Sequence, residues 1–186
     1  MELMKYGSLL VFVTACFGCD PSPKVQQDDF CYANFVFEAK ITSRNIGELN
    51  IEYGFDVQAI YKGTADNIPS TLVSDGYFMS CGPQELKVNT FYLIFAKHQS
   101  GGAFQIVDYY NMANVKNTDI ERITTKYDCD CIINIDDSLY GYVSGAPKIK
   151  PSKEACITPA NFCPRSGFCR KNVEGACTWG NHGECY

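Results

Sequence analysis

Between Asn50 and Gly63 apolar and polar residues alternate. Ile51, Tyr53, Phe55, Val57, Ala59 and Tyr61 fall on one face, and Glu52, Gly54, Asp56 and Gln58 on the other. A period of two marks a half-buried strand, and Lys62-Gly63 ends it. Tyr32–Ile41 is rich in aromatic and aliphatic residues and reads as a further strand. Tyr77–Cys81 is short and apolar, whereas Phe91–Ala96 is a continuous apolar run suited to a central strand. Ser100-Gly101-Gly102 is a turn, and another strand starts at Ala103 and runs to Tyr109. One segment reads as helix: Thr118 caps it, Glu121 completes a capping box, Ile120 and Ile123 face the sheet, and it ends near Tyr127. Five or so strands with a packed helix predict a small closed β-barrel. Tyr53, Phe55, Tyr61, Phe91 and Phe95 are assigned to its core.

The pattern changes beyond Cys131. Tyr140-Gly141-Tyr142, Gly145 and several prolines break all periodicity. Six cysteines fall here, at 131, 156, 163, 169, 177 and 185. So short and irregular a segment builds little core, so a small lobe held by its own bridges is expected from about Ile132.

The chain carries 11 cysteines and only two histidines, His98 and His182. No Cys-x-x-Cys pair lies beyond the leader described next, so disulfides explain the cysteines better than zinc sites. Cys129-Asp130-Cys131 is assigned to two structural bridges, and the histidines to ordinary surface positions. Lys5 followed by the apolar stretch Ser8–Ala15, with small residues at Ala15 and Gly18, reads as a secretory signal peptide over 1–18. Cleavage after Gly18 leaves Cys19 first and an even number of cysteines. The rival reading is a lipoprotein box, Val13-Thr14-Ala15-Cys16, with cleavage before Cys16. A net charge of −5 argues against nucleic-acid binding. No later run is apolar enough for a membrane span. No nucleophile, acid–base pair or metal cluster has local support, so catalysis is not expected.

An ordered series of motifs resembles the tissue inhibitors of metalloproteinases, whose inhibitory half is a netrin-like (NTR) module on an OB-type barrel. It begins with Cys19, Ser22-Pro23, Gln26-Gln27 and Phe30-Cys31. It continues with Phe35–Lys40, then Tyr53, Val57, Ile60 and Tyr61-Lys62-Gly63. Cys81-Gly82, Tyr92-Leu93-Ile94, Tyr127 and Cys129-Asp130-Cys131 complete it, while Cys169 to Cys177 with Trp179 resembles the family's second lobe. The likeness is good over 19–131 and patchier afterwards. It implies a mainly β fold: an OB-like closed β-barrel with one or two packed helices over 19–131, and a small disulfide-rich C-terminal lobe over 132–186. It also implies bridges Cys19–Cys81, Cys31–Cys129 and Cys131–Cys177, with Cys156, Cys163, Cys169 and Cys185 pairing among themselves in an open order. One bridge of the family is missing at both ends: Pro21 stands where the family has its second cysteine, and its partner would fall near Val107.

The function implied is that of a secreted inhibitor of secreted or cell-surface zinc metalloproteinases. The α-amino group and carbonyl of Cys19 would chelate the target's catalytic zinc, with no cofactor of the chain's own. Cys19, Asp20, Pro21 and Ser22 would lie in the protease cleft, beside Phe78, Met79 and Ser80. Asp20, where the family has Ser or Thr, places a carboxylate against an apolar pocket and implies weaker or shifted selectivity. The alternative is a non-inhibitory netrin-like module that binds a receptor or matrix protein.

Overall fold

The computed structural model describes residues 23–68, 70–77, 79, 82–99, 102–135 and 152–185. Helix α1 (Gln26–Tyr32) precedes strands β1 (Phe35–Ile46), β2 (Asn50–Lys62), β3 (Thr71–Asp75), β4 (Phe91–His98) and β5 (Phe104–Asn111). Helix α2 (Asn117–Thr125) follows. The five strands close into a barrel in the order β1-β2-β3-β5-β4. Every pairing is antiparallel except β3 with β5, which is parallel. The fold is mainly β, an OB-like closed barrel with two helices.

Alternation along each strand fills the barrel. Phe37, Ala39 and Ile41 of β1 meet Ile51 and Tyr53 of β2, Leu72 of β3 and Ile94 of β4 in one buried cluster. A second cluster lies outside the wall. There Val36, Leu93 and Phe95 pack with Ile120 and Ile123 of α2 and Phe30 of α1. β4 is thus covered on both faces, which is the physical reason for its unbroken apolar run. Phe91 departs from expectation: it is 40% exposed, because it stands at the strand end beyond both clusters.

β2 keeps its predicted alternation as far as Val57. Ala39 pairs with Val57 and Glu38 with Ala59, so Gln58 is an extra residue; a second bulge leaves Tyr61 extra between Ile60 and Lys62. Each bulge turns the following side chains to the other face. Ile60 therefore packs on the interior cluster and Tyr61 joins the outer one, while Val57, before the first bulge, is 37% exposed. The strand stops at Gly63, whose φ is +92° and where a Cβ would run into the Phe35 ring. β1 starts at Phe35 rather than Tyr32, because the chain before it is helical.

α2 also begins earlier than the sequence suggests. Lys116 occupies the N-cap, and its N–H donates to Asp119 Oδ2 at 2.9 Å. Asp119, not Glu121, supplies the acid of the cap. Glu121 instead reaches His182 Nε2 at 3.0 Å.

The smaller lobe holds β6 (Ile132–Asn134) parallel to β7 (Ala155–Ile157), and the hairpin β8 (Gly167–Lys171) with β9 (Cys177–Asn181). The disulfides Cys156–Cys169 and Cys163–Cys185 lie within it, and Cys131–Cys177 enters it from the end of the barrel region. Cys31–Cys129 ties α1 to the segment after α2 across 98 residues. Closing a loop of that length removes about 4–5 kcal/mol of unfolded-chain entropy. Cys31–Cys129 and Cys131–Cys177 are the pairs that the resemblance implies. Cys19–Cys81 and the signal peptide at 1–18 lie outside the described residues.

α1 sits between barrel and lobe. Gln27 is 1% exposed, and its Nε2 donates to the carbonyls of Asp128 (2.9 Å) and Cys169 (2.8 Å). Its Oε1 accepts from the Cys169 N–H at 2.7 Å. One amide side chain thus imitates a rung of β-ladder to β8. Gln27→Ala leaves these buried groups without partners, and the expected loss is about 2–4 kcal/mol in chemical denaturation. Unchanged stability would show that water replaces the amide.

Candidate functional site

The expected site is the amino-terminal segment, which lies outside the described residues, and the structure shows what holds the chain where the described residues begin. Val25 is fully buried, and the Gln26 N–H donates to the Pro164 carbonyl at 2.8 Å. Gln26 Oε1 accepts from Arg122 Nη2 (3.2 Å) and from the Tyr127 hydroxyl (2.9 Å). Arg122, also fully buried, donates to Asp119 Oδ1 at 2.6 Å and to the His182 carbonyl at 2.7 Å. Burial alone would raise the Asp119 carboxyl. The Lys116 N–H with Arg122 and Arg165 outweighs it and holds the group below the usual carboxylate range.

Lys24 lies between two carboxylates, 2.9 Å from Asp29 Oδ2 and 3.2 Å from Asp108 Oδ2. Tyr110 donates its hydroxyl to the same Asp108 oxygen at 2.9 Å. The pair joins the start of the described chain to β5, one residue from Val107, the expected partner of the missing bridge. Val107 itself packs in the outer cluster. An ion pair therefore links the start of the described chain to β5.

Across the barrel, the segment after β3 is pinned to its neighbours. Tyr53 donates its hydroxyl to the Gln84 carbonyl (2.8 Å) and accepts from the Leu86 N–H (3.1 Å). Arg44 donates to the Tyr77 hydroxyl at 2.8 Å, which donates to Glu85 Oε1 at 2.6 Å. Met79 is 47% exposed, its N–H bonded to the Gly76 carbonyl at 3.1 Å. It borders a cleft of about 590 Å³ between this segment and the β1–β2 turn. Of the expected protease-contacting residues, Met79 is described; Cys19, Asp20, Pro21, Ser22, Phe78 and Ser80 lie outside the described residues.

The sulfur atoms of Cys131, Cys169 and Cys177 lie within 4.8 Å of one another. All three are disulfide-bonded, so none offers the thiolate that a metal requires. Cys129-Asp130-Cys131 feeds two bridges. His98 is exposed, with its ring 4.4 Å from that of Phe104. Among the described residues no helix is long and apolar enough to cross a membrane.

Sequence reasoning passed over the Lys24–Asp29–Asp108 cluster, because its members stand up to 84 residues apart. The adjacent Gln26-Gln27 was noticed only as part of a motif. Two amides in a short acidic helix give no periodicity by which to predict burial.

Burial raises the Asp29 carboxyl, more than its contact with Lys24 lowers it, to about 7. A carboxyl with a raised folded pKa costs the fold stability when it ionises. Stability should therefore fall as pH rises from about 4 to 7 and level off above. Asp29→Asn should flatten that slope, measured as Tm against pH; an unchanged slope would show that Asp29 ionises freely.

A model described as the UNC-6/NTR/C345C module matches residues 28–132. No curated protein gives a significant match to the chain.

Proposed function

The chain belongs to the UNC-6/NTR/C345C module family, and on that premise we propose that it is a secreted inhibitor of zinc metalloproteinases acting through its amino-terminal Cys19. The observation that carries this reading is the anchorage of the chain just after Pro23: a buried Val25, a backbone hydrogen bond from Gln26, and the Lys24 ion pairs. An anchored exit limits the conformations open to the segment that must enter a protease cleft, and so lowers the entropy lost on binding. The four disulfides among the described residues fit an oxidising, extracellular setting.

The chemistry requires little else. A catalytic zinc keeps one open position for water. An α-amino group ordinarily titrates near 8, and zinc favours its neutral form. With the carbonyl of the same residue it closes a five-membered chelate and displaces the water. A bridge from Cys19 to Cys81 fixes the amine, with Asp20, Pro21 and Ser22 on one side and Phe78, Met79 and Ser80 on the other. The chain acts by binding and not by catalysis. The zinc belongs to the target, a secreted or cell-surface metalloproteinase.

A second reading has its own support: the family match begins at residue 28, after the segment that would inhibit. On that reading the module binds a receptor or matrix protein and leaves proteases untouched. Acetylating the mature amine separates the two. Inhibition of a metalloproteinase panel should fall by about 100-fold or more, with the fold unchanged; full inhibition by a blocked terminus would overturn the zinc mechanism. Asp20→Thr should strengthen inhibition of proteases with apolar pockets by about tenfold, or about 1.4 kcal/mol. Equal inhibition across the panel would remove Asp20 as a selectivity determinant.

A further inference from the structure

We propose that the cleft between the β1–β2 turn and the segment after β3 is a second contact surface, which seats an arginine or lysine side chain flanked by apolar residues on a partner protein. This goes beyond the zinc mechanism and holds under either reading above, because it needs neither Cys19 nor a metal.

The cleft encloses about 590 Å³, and among the described residues no lysine or arginine lines it. Its charged groups are Glu48 and Asp75. Among the described residues Glu48 forms no ion pair or hydrogen bond, and Asp75 uses only Oδ1, accepting from Gln105 Nε2 at 3.3 Å. The nearby cation Arg44 is engaged by Tyr77 and Glu85. Two carboxylates thus share a recess without a counter-charge among the described residues. The side-chain amides of Asn50, Gln99 and Gln105 border the same space.

The rim is apolar and exposed. Leu49 is 70% and Met79 47% exposed, and Ile46 (55%) and Tyr77 (52%) continue the surface on either side. Grouped exposed hydrophobics with a polar recess mark a surface for a protein partner. The walls are also fixed. The Gly76 N–H donates to the Leu49 carbonyl at 3.0 Å, and Asn50 pairs with Asp75 in the β2–β3 ladder. A Cβ on Gly76 would lie 2.6 Å from the Leu49 backbone, so only glycine lets the two rims meet.

An arginine or lysine fits both halves. Its aliphatic stem lies along Leu49, Val73 and Met79, and its head reaches the two carboxylates. Two carboxylates and a few amides fall short of the oxygen shell that a calcium ion takes, which favours a side-chain cation.

The test titrates the ¹⁵N-labelled mature chain with acetyl-Leu-Arg-Leu-amide and with the same peptide carrying norleucine in place of arginine. The arginine peptide should shift the amides of Glu48, Leu49, Asp75 and Met79 and bind at least fivefold more tightly. That advantage should vanish in 0.5 M NaCl and in the Glu48→Gln/Asp75→Asn double variant. Should the double variant unfold, Glu48→Gln alone, on an exposed turn, should lose at least half the advantage. Equal binding of the two peptides, shifts confined to other regions, or a preference that survives these substitutions would overturn the proposal. Acetylating Cys19 leaves this result unchanged, so the zinc mechanism and the cleft fail separately.

Discussion

The buried amides of Gln26 and Gln27 are the constraint on which the rest of the molecule depends. A seven-residue helix is too short to persist in water on its own, and its first turn has no side-chain cap. Its acidic residues, Asp28 and Asp29, suit the positive end of the helix but do not hold it in place. Position comes from the two side chains: Gln27 joined to Cys169 by both its donor and its acceptor, and Gln26 to Arg122 and Tyr127. Through them the direction of the amino-terminal exit, the seat of the small lobe and the buried Asp119–Arg122 pair are set together.

Covalent and ionic links divide the work by location. The bridges Cys31–Cys129 and Cys131–Cys177 fasten the carboxyl-terminal side of α2 to α1 and to β9. At the start of the described chain a lysine between two carboxylates makes an ionic link instead. A cystine is indifferent to protons, whereas this ionic link is not, since Asp29 is pushed to about 7.

Much of the barrel was legible in the sequence, because alternation and apolar runs report directly on which faces are covered. β2 was legible as far as Val57. Past it, the bulges at Gln58 and Tyr61 change the side-chain phase, and only the partner strand reveals them. Phe91 was misassigned because hydropathy does not show where a strand outruns its covering layers. α1 was hidden by its composition, and β6 and β7 by their three-residue length, too short for a period to appear. Of the site, the family likeness supplied the residues, and of these Met79 lies among the described residues. Lys24, Asp29 and Asp108 had no local signature, since attraction across 84 residues of chain leaves no trace in spacing.

The barrel wall is uneven. β1 and β2 run together for most of their lengths, while β3 and β5 meet only at Leu72–Phe104 and Val73–Gln105. A ring opens where its clasp is thinnest, so these two rungs are where the cylinder parts into a curled sheet at least cost. Val73 and Gln105 also line the acidic cleft. Whatever fills that recess spans the clasp, so occupancy at the surface becomes stiffness in the wall.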